Sequence, residues 1–171
     1  TGGADGTLGL DLTVVAGITD NAGNPLASSR SCDQPYTIDK TPPQLNAVSI
    51  ASNNTHPEIV GFGDGRKTVT LTITGSEDLD ITSVTIATHS AATLTHPVNL
   101  KNWIATYDMV EGDTPGSIPF NIIFKDIAGN NGTAVSTTTN LTSVTFDKVA
   151  PKLTSVSIAS SNTPSDKAKV G

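Results

Sequence analysis

The sequence predicts an all-β fold built from antiparallel β-sandwich units joined in tandem. Three observations carry this reading. First, DKTPPQLNAVSIAS at Asp39–Ser52 returns 108 positions later as DKVAPKLTSVSIAS at Asp147–Ser160, with nine of the fourteen positions identical. A second pair, TDNAGNP at Thr19–Pro25 and KDIAGNN at Lys125–Asn131, lies 106 positions apart, so a small insertion separates the copies. Self-similarity at a fixed period marks a repeat array and fixes the architecture before any local motif is read. Second, KTVTLTIT at 67–74 puts Val69, Leu71 and Ile73 on one face and Thr68, Thr70, Thr72 and Thr74 on the other. That period of two describes a sheet with one buried and one wet face. Third, no window carries helical spacing. Thr (26) and Ser (16) make up about a quarter of the 171 residues, and β-branched residues such as Thr and Val suit a pleated, half-buried surface.

The period divides the chain into three parts. Residues 1–38 are the closing part of one repeat, 39–146 a complete repeat, and 147–171 the opening of the next. A unit of about 100 residues is an ordinary size for a domain with its own core.

Within the complete repeat, strands are expected at 44–52, 67–74 and 81–88, the last carrying Val84 and Ile86. A weak strand at 92–100 is interrupted by Pro97. Proline cannot donate to a ladder, so this strand belongs at an edge. The stretch 102–110 places Trp103, Ala105, Tyr107 and Met109 on one face, and 117–126 does the same for Ile118, Phe120, Ile122 and Phe124. The run 141–147 closes the unit with Val144 and Phe146. Turns are expected at 53–66, which contains GFGDG, at the acidic 75–80, at 111–116 and at 128–139. Seven short alternating strands in about 100 residues describe a two-sheet sandwich of immunoglobulin type. An up-and-down barrel suits such short, unevenly spaced strands less well.

Composition narrows the partners. The net charge is −6 and the pI about 4.8. An acidic chain repels nucleic acid and anionic lipid, and attracts divalent cations. No stretch is apolar enough to span a bilayer as a helix. The one cysteine, Cys32, allows no intrachain disulfide. It reads as an idle or half-buried thiol, with a cross-link to another chain as the sharper alternative. A cysteine-poor β repeat is compatible with bacterial export, where cores and metals supply stability. The repeats are joined by DKTPP and DKVAP with almost no slack. Proline fixes its own φ and extends the residue before it, so the neighbours are held in line and the array is a semi-rigid rod.

DKxxPxLxxVSIAS, the TVTLTI strand, NWIATYDMV, the late DxAGN loop and the closing VTFDK together resemble bacterial immunoglobulin-like repeats. The resemblance covers the complete repeat from end to end and both fragments in register. It implies an extracellular or cell-surface stalk or adhesive module without catalytic activity, part of a long secreted protein. Its partners would be neighbouring repeats of the same chain, other copies in a fibre, or a surface or glycan receptor at a distant tip. It also implies Ca²⁺ at the joints between repeats in some relatives.

The candidate ligands follow from carboxylates near the joints. Asp20 and Asp126 head the two DxAGN loops, and Asp39 and Asp147 head the two linkers. The linker aspartates are placed to meet such a loop across a boundary. Calcium takes six to eight oxygens, and carboxylates supply them. The competing reading of the loops is structural: Asp accepts backbone N–H bonds, and Gly and Asn take the positive φ of the turn. Glu77, Asp78 and Asp80 form a second acidic group that reads as a solvated turn. No EF-hand spacing is present. His56, His89 and His96 show no zinc-like spacing and fall in loops or at edges. There is no G-x-S-x-G elbow, and GFGDG leads into a strand rather than the helix that a phosphate-cradling loop needs. Trp103 and Tyr107 would stack on sugar if they faced outward, but their parity with Ala105 and Met109 assigns them to the core. An accessory carbohydrate-binding module and a filament or sheath subunit are the two alternatives to the stalk.

Overall fold

The computed structural model describes residues 4–31, 34–63 and 65–168. Cys32 lies outside them. The described residues contain twelve strands and no helix. β1 (Gly6–Leu8) and β2 (Tyr36–Ile38) precede the complete repeat. That repeat holds β3 (Leu45–Ser52), β4 (Ile59–Val60), β5 (Thr68–Gly75), β6 (Leu79–Ile86) and β7 (His89–Ser90). It continues with β8 (Thr93–Thr95), β9 (Asn102–Asp108), β10 (Gly116–Ser117), β11 (Phe120–Asp126) and β12 (Thr145–Phe146). The order β3-β5-β9-β8 makes one sheet, β11-β6-β7 a second, and β10-β12-β4 a short ribbon at the side. Every pairing is antiparallel except β12 with β4, which run parallel. The result is an all-β, sandwich-like architecture with its core between the two larger sheets.

β5 explains the core most directly. Its alternation sends Val69, Leu71 and Ile73 inward, each fully buried. Burying one such aliphatic side chain is worth about 1.5–3 kcal/mol. β9 answers with Trp103, Ala105 and, just beyond it, Met109; β11 with Phe120, Ile122 and Phe124. β6 shows a break in parity. Ile81 and Val84 are three residues apart yet both buried, because a bulge leaves Thr82 unpaired: Ser83 faces Ile123 while Ile81 faces Phe124. One extra residue restores the inward set after the shift.

The expected strands appear at 45–52, 68–75, 79–86, 102–108 and 120–126. The weak one shrinks to the three residues of β8, at a sheet edge as Pro97 requires. The closing strand shrinks to Thr145–Phe146. β4 and β7 lie in stretches without alternation. β7 exists because Ala87 and Thr88 take φ of 52° and 70°, a tight turn that folds His89 back onto Ile86. Such turns normally carry Asn-Gly or Asp-Gly, so Ala-Thr gives no signal of one.

The wet face of the four-stranded sheet is regular. Ala47, Thr74 and Asn102 form one cross-strand row. Ser49, Thr72, Ile104 and Thr95 form the next, and Ala51, Thr70, Thr106 and Thr93 the third.

The flanking copies repeat this plan in part. Gly6 faces Ile38 in the β1–β2 pair, and Gly116 faces Phe146 in the β10–β12 pair, with Ile38 and Phe146 at equivalent points of the period. Leu153–Ser160, by contrast, repeats the sequence of β3 and forms no strand. Val48 and Ile50 are 1% and 4% exposed, while their equivalents Val156 and Ile158 are 82% and 99% exposed.

Gly132 shows how closely the core is filled. A Cβ there would sit 2.2 Å from the ring of Phe124, itself buried. Gly132→Ala should therefore destabilise the unit by about 1–3 kcal/mol through overpacking. Urea unfolding checks this: the midpoint should fall with an unchanged m value, and a wild-type midpoint would contradict the packing described.

Candidate metal centre

Two of the joint aspartates meet, and a third carboxylate joins them. Carboxylate oxygens of Asp39, Glu77 and Asp126 all lie within 4.8 Å of one another. Asp39 is the first residue of the linker, Glu77 sits in the turn between β5 and β6, and Asp126 ends β11. The antiparallel order brings the end of β5, the start of β6 and the end of β11 to one end of the sandwich, under the entering chain.

The loop after β11 holds the cluster in place. Asn130 donates its backbone N–H to Asp126 Oδ1 (2.8 Å) and its side-chain amide to Oδ2 (2.7 Å). The same amide donates to the carbonyl of Asp39 (3.1 Å), tying the linker to the loop. Gly129 takes φ 99°, which the turn needs and which a side chain rarely adopts. The earlier copy is built alike: Asn24 donates its N–H to Asp20 Oδ1 and its amide to Oδ2, both at 2.9 Å, and Gly23 has φ 87°. The structural reading of the DxAGN loops holds in both copies for Asp and Gly, but Asn24 and Asn130 do not take positive φ and serve as donors to the aspartate instead. At Asp126 the turn coexists with a carboxylate cluster.

The other two candidates lie apart. Asp20 is exposed and engaged within its own loop. Asp147 is exposed and accepts the N–H of Val149 (2.8 Å), the same turn that Asp39 makes with Thr41 (3.0 Å). The expected meeting of linker and loop across a boundary is corrected by this geometry. Asp39 meets the loop of the repeat it opens, because the strand order returns β11 to the end where β3 begins. Glu77, read as part of a solvated turn, is half-buried and belongs to the site.

Electrostatics separate the members. Burial and the charges of Asp39 and Asp126 raise the Glu77 carboxyl above its ordinary value, against a smaller opposing effect of Lys101. Burial also acts to raise Asp126, but the hydrogen bonds from Asn130, Gly129 and Ala128 outweigh it and leave that carboxyl below its ordinary value. Three crowded carboxylates form an all-oxygen, hard donor set, and they fit Ca²⁺ in kind. Asp39 and Glu77 line a cleft of about 640 Å³ at the junction with the preceding copy, together with Asp5, Thr37, Thr41 and Ser76.

At the opposite end of the sandwich, the buried Asp113 holds a second polar corner. It accepts from the Val110 N–H (2.8 Å) and the Tyr107 hydroxyl (3.3 Å), and pairs with His89 Nε2 (3.0 Å). The His89 ring stacks on Tyr107 at 5.4 Å. Lys148 of the departing linker donates to the carbonyls of Glu111 (2.9 Å) and Asp113 (3.3 Å). His56 is exposed beside Glu58, and His96 lies edge-on against Trp103. Trp103 is 8% exposed and donates its indole N–H to the Leu100 carbonyl, so the core assignment holds.

Comparison of the chain with protein-family models, with curated proteins and with solved structures finds no match.

The raised Glu77 carboxyl gives a signed pH effect in cation-free protein. The folded state holds this proton more tightly than the unfolded one. Stability linked to Glu77 is thus full below its ordinary carboxyl value and is lost as pH rises through the higher native value. Glu77→Gln, measured in chelator, should flatten that fall and raise the melting temperature at pH 7. An unchanged or lowered melting temperature would show that Glu77 is not crowded by its neighbours.

Proposed function

We propose that this chain is a segment of a semi-rigid stalk: immunoglobulin-like repeats of a long extracellular bacterial surface protein, acting mechanically and without catalysis. One observation carries the reading. The chain enters the complete repeat at the end that holds Asp39 and leaves it at the opposite end, where Lys148 is held. The ends are separated by the length of β6, eight residues or about 23 Å. Both linkers are fastened to the unit rather than left free. On the entry side, Asp5 of the preceding copy accepts from the Lys40 N–H (2.7 Å) and from the Thr41 hydroxyl. Units that are entered at one end, left at the other and fastened at both stack into a rod.

Calcium at Asp39, Glu77 and Asp126 stiffens the entry joint in this reading. The ion would neutralise carboxylates that otherwise repel, and would join the linker to the β5–β6 turn and the β11 loop. Binding to the folded state alone adds about 2.7 kcal/mol at a hundredfold excess of ion over Kd.

The test combines calorimetry with small-angle scattering, with Ca²⁺ and with chelator. Calcium should raise the melting temperature and hold the maximum dimension of the particle constant; chelation should lower the first and broaden the second. Glu77→Gln should remove the response. The stiffening fails if chelation leaves melting temperature and particle length both unchanged.

A further inference from the structure

We infer that the wet face of the β3-β5-β9-β8 sheet is the surface through which copies of this chain associate side by side. Three of the cross-strand rows of that face carry no charged residue, and the fourth, Thr68 with Asp108, carries one. That Asp108 sits at one corner, accepting from the Thr68 hydroxyl and paired with Lys67 at 3.5 Å. The carboxylate cluster at Asp39 and the pair at Asp113 lie at the ends of the sandwich, and Lys125 pairs with Asp80 on the other sheet. Two chains that each carry −6 repel on most approaches. A neutral face lets them touch with the least electrostatic opposition.

Shape points the same way. The rows hold mostly Thr, Ser and Ala, in register across the strands. Apart from Ile104 and Asn102 these are short side chains presenting methyl and hydroxyl groups, a surface on which a second such sheet can lie at about 10 Å. The sheet covers roughly 400 Å², from four strands about 4.8 Å apart and about six residues long. A standard stable interface buries about 800 Å² per partner, so one face gives only a weak contact.

In a tandem array the period would supply the missing area. Ala47, Ser49 and Ala51, the β3 edge of the face, return as Ser155, Ser157 and Ala159, again small and neutral. Chains aligned in register would multiply one weak contact along their length. In its strength the inference rests on the tandem reading, and it gives specific support to the filament or sheath alternative.

The test is cysteine cross-linking in a Cys32→Ser background. Thr72→Cys places a thiol at the centre of the face. Thr133→Cys places one on an exposed loop beside the other sheet. Under mild oxidation, Thr72→Cys should form disulfide-linked dimers several-fold faster. In sedimentation, Thr72→Lys should abolish concentration-dependent association while the melting temperature stays within a few degrees of wild type. Equal cross-linking rates, or a wild-type chain that sediments as a monomer at millimolar concentration, would overturn the proposal. So would equal rates together with polysaccharide binding that Thr72→Lys abolishes, which would make the face a glycan surface. Loss of the calcium response with cross-linking intact would sink the stiffened joint and leave this interface standing.

Discussion

A β-strand is held most firmly where both its hydrogen-bonding edges and its apolar face are engaged, and β5 is where this fold meets that condition most fully. It pairs with β3 on one side and β9 on the other, over seven residues each, and buries three aliphatic side chains completely. The register of the four-stranded sheet follows from it, because a slip of one residue would exchange Val69, Leu71 and Ile73 for threonines. The position of the carboxylate cluster follows too. β5 ends at Gly75, where a Cβ would strike Leu79, and the chain must turn there, presenting Glu77 to the linker.

The chain contains its own control on what a sequence encodes locally. The DxAGN loop takes one form at Asp20 and at Asp126, although the surroundings differ. The Asp-Lys turn is likewise the same at Asp39 and Asp147. These are short-range structures, closed by side chains that bond to backbone two to four residues away. VSIAS behaves differently. At 48–52 it is a strand with a buried face; at 156–160 it has no strand partner among the described residues and forms none. Its pattern was legible as a strand, but a strand is a relation between segments. That is why the alternating runs were readable in type and position, while their ends, and the short β4 and β7, were not.

The same division explains the site. Asp39 and Asp126 stood out because they head recurring motifs. Glu77 gave no signal beyond its acidic neighbours, and Asp113 none beyond a turn. Their roles come from strand order, which brings Glu77 to Asp39 across 38 positions and Asp113 to His89 across 24. Spacing along the chain carries no trace of either meeting. Trp103 and Met109 were legible because parity alone assigns a side chain to a face.

One pairing has a mechanical meaning. β12 runs parallel to β4 at the exit of the repeat, bonded through the N–H groups of Thr145 and Asp147 to the carbonyls of Glu58 and Val60, both at 2.9 Å. A hairpin pulled at its open end gives up its bonds one after another, like a zip. Parallel neighbours drawn in opposite directions along their length must shear, and the bonds then resist together. If the unit carries tension between β3 and β12, as the proposed stalk requires, this pairing at its last strand would act as such a latch, favouring release of a repeat as a whole over gradual fraying.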